Sequence, residues 1–130
     1  MTIVVPAPTS RLAFAIAPFI FLPVGHYYHY ARGTMSLEEQ SVLVHEQVHI
    51  DRERAQGIID YGWQYYYDAE FRLNEELLAI AEQMKFLKAR GGTYNIERKA
   101  EHFAGAIYGH MLPYNDALER LQVLWDEAVY

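Results

Sequence analysis

The chain has no cysteine among its 130 residues. That absence excludes a disulfide framework, a zinc or iron–sulfur site with thiolate ligands, and a thiol nucleophile. Any metal site must be built from His, Asp and Glu. Positive charge is also scarce: 11 Lys and Arg stand against 17 Asp and Glu, for a formal net charge of −6. Such a balance argues against a protein that tracks a phosphate backbone, so no nucleic-acid partner is expected. Long apolar runs are missing too. The nearest approach, Leu12 to Val24, is interrupted by Pro18 and Pro23 and falls short of the roughly 20 apolar residues that a membrane-crossing helix needs. After Arg11 it loosely imitates the apolar part of a signal peptide. The two prolines, the lack of further basic residues and the poor cleavage context of Val24-Gly25-His26 favour core structure instead. No internal repeat or low-complexity tract interrupts the chain.

What is present is a 52% hydrophobic composition, ample for a packed core rather than disorder. The length fits a single domain over residues 1–130. Six His and 11 Tyr are the unusual counts. Ile3-Val4-Val5 and Phe19-Ile20-Phe21-Leu22 read as short strands bounded by Pro and Gly. Ser36-Leu37-Glu38-Glu39 is a capping box, which predicts a helix from there to about Gly57. Asp60–Tyr67 reads as an aromatic connector. Asp68 caps a second helix that ends at Gly91-Gly92, with Phe71, Leu77, Leu78, Ala81, Met84 and Leu87 at helical spacing. Thr93 or Asn95 opens a third helix, carrying Ile96, Ala100, Phe103, Ala104, Ile107 and Met111 and stopped by Pro113. Asn115 or Asp116 opens a last one. The expected class is α+β, mostly α, with short N-terminal strands followed by about four helices.

His45-Glu46-Gln47-Val48-His49 falls inside the first long helix so predicted. Residues four apart share a helix face, so the two imidazoles can converge on one ion. Glu46, beside the first of them, can reach a water held at that ion. This is the HExxH arrangement of two ligands and a general base. Composition alone makes the bare pattern a coincidence of roughly one in 40, so context carries weight. The capping box supplies that context, and so do the apolar Val42, Leu43 and Val44. A catalytic zinc also needs a third protein ligand and an open position. His102, His110, Asp51, Glu53, Glu75 and Glu76 are the candidates. Glu76 is the best placed, on the Leu73/Glu76/Ile80/Met84 side of the second helix, where an acid is costly unless paired or coordinated. Glu75 is the close alternative.

HEQVH followed on the next long helix by Glu-Glu-x-x-Ala resembles the gluzincin metallopeptidases. More narrowly, the chain resembles small HExxH proteins encoded in bacteriophage and bacterial genomes. Those share an apolar strand before the motif, an aromatic connector, and a segment that here reads Phe71-Arg72-Leu73-Asn74-Glu75-Glu76-Leu77-Leu78-Ala79. The resemblance covers Phe19 to Gln83. It implies a minimal zincin-like fold, Zn2+ as cofactor, His45, His49 and Glu76 as ligands, and Glu46 as catalytic base. It also implies a peptide or protein substrate, and a cytoplasmic setting in a bacterial or phage-infected cell, or association with a virion. One departure is Ile80, where several gluzincins carry an Asp that orients the first His; Asp51, another carboxylate or a backbone carbonyl is then expected to do so.

For the oxyanion donor that such chemistry needs, the downstream options are Tyr94, His102, Tyr108 and His110, with His102 preferred. Phe19–Leu22 is the expected edge strand for extended substrate, with Gly25–Tyr30 beside it. His26 and His29 suggest only a weak second metal site. The aromatics around Trp63 and Tyr65–Tyr67 suit an interface, in a homo-oligomer or a larger phage assembly. A competing expectation is a retained, non-catalytic zinc site in a phage accessory or virion component. A third is a plain helical interaction module.

Overall fold

The computed structural model describes residues 1–8, 11–106 and 109–129. It is α+β and mostly helical. Three strands, β1 (Ile3–Ala7), β2 (Phe14–Ile16) and β3 (Phe19–Pro23), come first. Six helices follow: α1 (Val24–Arg32), α2 (Leu37–Gln56), α3 (Ile58–Tyr67), α4 (Ala69–Ala89), α5 (Ile96–Ala104) and α6 (Tyr114–Glu127).

The sheet order is β1-β3-β2, with β1 parallel and β2 antiparallel to β3. The Phe19–Leu22 segment is therefore the central strand, hydrogen-bonded on both sides, and not the edge expected from sequence. Its alternation explains the position: Ile20 and Leu22 bury one face against α2 through Ile50. The short β2 takes the edge. It packs on α2, and Glu53 Oε2 accepts the backbone N–H of Ala17 at 2.9 Å, tying the end of the strand to the helix.

Helix α2 starts where the capping box requires. Ser36 Oγ accepts from Glu39 N–H and the Glu39 carboxylate accepts from Ser36 N–H, both at 3.1 Å. Gly57, at φ 105°, ends α2 and lets the chain turn directly into α3. The supposed aromatic connector is thus a helix, with Tyr61 and Tyr65 four apart on its inner side. The Gly25–Tyr30 stretch is likewise helical, within α1. Asp68 caps α4 by accepting from Phe71 N–H, and Asn95 caps α5 by accepting from Arg98 N–H, each at 3.0 Å. α5 is shorter than its apolar stripe suggests, because it stops at Gly105; Ile107 lies outside the described residues.

Helices α2 and α4 pack against each other as the spine. On one side lies the sheet-facing core around Ile20, Leu22 and Ile50. On the other, α5 and α6 pack Ala100, Phe103, Ala117 and Leu121 onto Leu73, Ile80 and Met84 of α4. Full burial of a side chain such as Phe103 or Leu121 contributes about 1.5–3 kcal/mol, so α5 is held from its α6-facing side. Its other side is left to line a cavity above α2.

Candidate metal centre

Buried polar groups are concentrated where α2 faces α4. His45, Glu46 and His49 lie on α2, Glu76 and Gln83 on α4, and all five are buried. The His45 and His49 Nε2 atoms are 3.3 Å apart. Glu76 Oε2 lies 3.0 Å from His45 Nε2, and Glu76 Oε1 lies 3.4 Å from His49 Nε2. These are the separations that donors take around a tetrahedral zinc: bonds of about 2.0–2.1 Å imply ligand-to-ligand edges of about 3.4 Å. Among the described residues this is the group of three potential donors able to hold a metal ion. A His₂Glu set fits zinc chemistry and leaves room for a fourth position.

The hydrogen-bond network sets the imidazole tautomer. Ser41 Oγ donates to the Glu38 carbonyl at 2.6 Å, so it can only accept from Gln83 Nε2, which lies 3.0 Å away. The amide nitrogen being spent on Ser41, the amide oxygen faces His45 Nδ1 at 2.9 Å. An amide oxygen accepts only, so Nδ1 carries a proton and Nε2 is the nitrogen turned to Glu76 and the centre. For His49 the corresponding partner is Tyr61, whose hydroxyl lies 3.1 Å from Nδ1. Burial pushes the Tyr61 phenol well above its usual range, and the carboxylates of Glu75, Glu76 and Glu53 push the same way, so the hydroxyl stays protonated. Tyr65 donates to Glu76 Oε1. These groups do the orienting. Asp51, expected for that task, is exposed and accepts instead from Gln47.

Glu75 and Glu76 divide cleanly. Glu76 turns toward the two His. Glu75 turns away and receives Arg52 through Nε and Nη2, at 2.9–3.1 Å.

The charges respond to burial and to one another. Burial alone would raise the Glu76 carboxyl, but hydrogen bonds to His45 and His49 and their charge hold it well below the usual carboxylate range. Burial depresses His49, yet its hydrogen bond to Glu76 and the charges of Glu76, Glu46 and Glu53 bring it above an ordinary imidazole. Burial raises Glu46, only partly opposed by His45 and His49. The triad without metal therefore behaves as an ion pair beside a carboxyl that resists ionisation.

The centre opens on a cavity of about 820 Å³, within the range of small-molecule sites. Its walls are the edge strand β2, the motif face of α2, Tyr61 and Tyr65 of α3, and Tyr94, Arg98, Lys99 and His102 around α5. Of the downstream residues singled out from sequence, His102 and Tyr94 share this cavity. His110 is exposed and its Nδ1 donates to the Ala104 carbonyl at 2.6 Å, and Tyr108 lies outside the described residues. Glu53 lines the cavity but is committed to Ala17. His29 pairs with Glu39 at 2.8 Å, and among the described residues neither it nor His26 joins a three-donor group. The sequence offered no site role for Ser41, Tyr61, Gln83 and Lys99, and Tyr65 was expected at an interface instead. Helical spacing could have found two of them: Ser41 precedes His45 by one turn, and Gln83 follows Glu76 by two.

Comparison with known protein families, with curated proteins and with solved structures finds no match for this chain.

Proposed function

We propose that the protein is a zinc-dependent hydrolase of the gluzincin type that cleaves peptide bonds. The observation that carries this reading is the convergence of His45 Nε2, His49 Nε2 and Glu76 at tetrahedral-edge separations, next to a buried Glu46 and open to a cavity. A zinc ion held there by His45, His49 and Glu76 would supply Lewis acidity and lower the pKa of a water to about 7. Glu46 takes a proton from the attacking water and delivers it to the departing amine. The edge strand β2 favours an extended substrate. Among the described residues its outer edge has no strand partner, and its residues line the cavity, so a peptide can add there by backbone pairing.

Glu46→Gln is the deciding experiment. Zinc content should stay stoichiometric while hydrolysis of a mixed peptide library falls by at least about 10²-fold. Retained hydrolysis in this variant rules out Glu46 as base.

A second reading is a zinc site without catalysis in a phage accessory or virion component. It is favoured by one face of α3, where Ile59, Trp63, Tyr66 and Tyr67 are 75%, 60%, 74% and 69% exposed. Zinc bound in the absence of any hydrolysis by the unaltered protein would favour it.

A further inference from the structure

Both faces of the sheet are apolar. Alternation along the strands puts Val4 of β1, Ala15 of β2, and Ile20 and Leu22 of β3 on the face that packs toward α2. The opposite face carries Ile3 and Val5 of β1, Phe14 and Ile16 of β2, and Phe19 and Phe21 of β3. Register aligns these six in two rows across the strands: Val5 beside Phe21 beside Phe14, and Ile3 beside Phe19 beside Ile16. The Phe14 and Phe21 rings stack at 4.5 Å, and Phe21 meets Phe19 at 6.1 Å.

Ile20 and Leu22 are buried, whereas Phe14, Ile16 and Phe19 are 40%, 51% and 38% exposed. A sheet face left to water ordinarily carries polar side chains, and an edge strand is ordinarily guarded by charge or proline. β2 reads Phe14-Ala15-Ile16 and has neither. Both rows therefore end at the open edge on an apolar side chain. The location of β2 indicates what extends them. β2 packs on α2 and lines the cavity onto which His45, Glu46, His49 and Glu76 open. A peptide paired with β2 passes along the metal centre. Its side chain opposite Ala15 turns to the α2 side; those opposite Phe14 and Ile16 turn to the outer face and lengthen the two rows.

We propose that Phe14 and Ile16 are specificity-determining residues that select an extended peptide segment with apolar side chains at alternate positions. Such segments are kept covered in folded proteins, so the substrate class is an unfolded or partly unfolded polypeptide. This inference rests on the zinc-hydrolase reading of the same site. Aromatic and β-branched side chains opposite one another stabilise strand pairing, whereas a polar side chain over Phe14 or Ile16 loses water without gaining a partner.

The test uses the full-length, zinc-loaded Glu46→Gln protein, which holds peptide without cutting it, and two fluorescent peptides of identical composition. One alternates Val and Ser singly; the other alternates them in pairs, as Val-Val-Ser-Ser. Only the first can set Val against Phe14 and Ile16 together. Fluorescence anisotropy should show the singly alternating peptide bound about tenfold more tightly. Phe14→Thr and Ile16→Thr keep strand-forming side chains; each should reduce the preference, and the two together should erase it. Ile16→Thr alone, at the more exposed position, serves should the double variant not fold. Val5→Thr, at the far end of the same face, should keep the preference. Equal binding of the two peptides, a preference that survives the β2 substitutions, or one lost as fully in Val5→Thr overturns the proposal, while zinc content and hydrolysis of a mixed library leave the hydrolase reading standing. The unaltered protein should also cut the singly alternating peptide with a kcat/KM about tenfold higher. Preferential binding without cleavage of either peptide overturns the hydrolase reading, and this inference about its substrate with it.

Discussion

The amide oxygen of Gln83 lies 2.9 Å from His45 Nδ1, two turns along α4 from the Glu76 carboxylate that meets the same imidazole at Nε2. One helix thus grips both nitrogens of the first motif histidine. Ser41, whose hydroxyl is committed to the Glu38 carbonyl, fixes which way the amide points. In this chain a neutral amide does the orienting that carboxylates often do for metal-bound histidines.

That arrangement makes a prediction about metal affinity. Gln83→Leu removes the acceptor for Nδ1–H and frees the ring to rotate or change tautomer. Zinc affinity should fall about 10–100-fold, with the helical content unchanged by circular dichroism. Ser41→Ala should have a smaller effect in the same direction, because it loosens the amide without removing it. Competition with a chelating dye measures both. Unchanged affinity in Gln83→Leu would show that the ring is held by other means.

Tyr65 offers an independent handle. Its hydroxyl donates to Glu76 Oε1, the oxygen nearer His49. Tyr65→Phe keeps the ring, which lies edge-on to His49, and removes only the hydrogen bond. The expected result is a loss of zinc affinity of about tenfold or more, with little change in melting temperature of the metal-free protein. Since exposed Trp63 and Tyr66 flank it on α3, Tyr66→Phe is the matched control and should leave affinity as it was.

The two motif helices were the most legible parts of the chain, for local reasons. Ser36 and Glu39 declare the start of α2, Gly57 its end, and Asp68 the start of α4, each through a bond made within a single turn. The convergence of His45 with His49 follows from helical periodicity alone. Glu76 was preferred over Glu75 because it shares a helix face with Leu73, Ile80 and Met84; that Glu75 meets Arg52 instead needed the packing of α2 on α4, which no local rule supplies. α1 and α3 were illegible because neither starts at a capping side chain: Pro23 and Gly57 stand at their N-termini and neither makes a side-chain capping hydrogen bond. α1 has no fully buried residue, and α3 buries only Tyr61 while exposing Ile59, Trp63, Tyr66 and Tyr67. β2 is three residues long and depends on its pairing with β3 for existence, so Phe19–Leu22 was mistaken for the edge. Lys99 was missed because a lone lysine in an amphipathic helix ordinarily marks the solvent face.

The pH dependence of stability should differ in sign with and without metal. Without metal, the Glu76 carboxyl sits well below its free value of 4.5, so its stabilising effect is present above that pH and lost only in strong acid. His49 sits above its free value of 6.5, so its contribution is complete below 6.5 and lost as pH rises through the raised value. Glu46 and Glu53, raised by burial, likewise disfavour folding as they ionise. The metal-free protein should therefore melt highest in mild acid, between about pH 4.5 and 6.5, and lower toward pH 8. Zinc requires neutral imidazoles and an ionised Glu76, so its stabilisation should grow over the same rise in pH. At a free concentration a thousandfold above the dissociation constant it reaches about 4 kcal/mol. Melting curves with zinc and with chelator, from pH 5 to 8.5, should diverge as pH increases. Parallel curves would contradict the ion pair placed between His49 and Glu76.

Glu75 and Glu76, adjacent in sequence, should fail in different ways when altered. Glu76→Gln leaves a donor set of two imidazoles and a neutral amide, so stoichiometric zinc should be lost. The metal-free fold loses its His–carboxylate pairing but keeps its apolar packing. Glu75 has no part in the triad: its side chain is 2% exposed and its charge is met by Arg52, itself 49% exposed. Arg52→Met strands that carboxylate in the interior, and the cost should be about 1.5–3 kcal/mol, tempered by the half-exposed position of the arginine. Glu75→Gln, which keeps an acceptor for the guanidinium and removes the buried charge, should cost less than Arg52→Met. Both changes should leave zinc at one ion per chain, read by elemental analysis beside urea unfolding. Zinc lost from Glu75→Gln but kept by Glu76→Gln would reverse the assignment, and would mean that α4 turns by one residue when the ion binds.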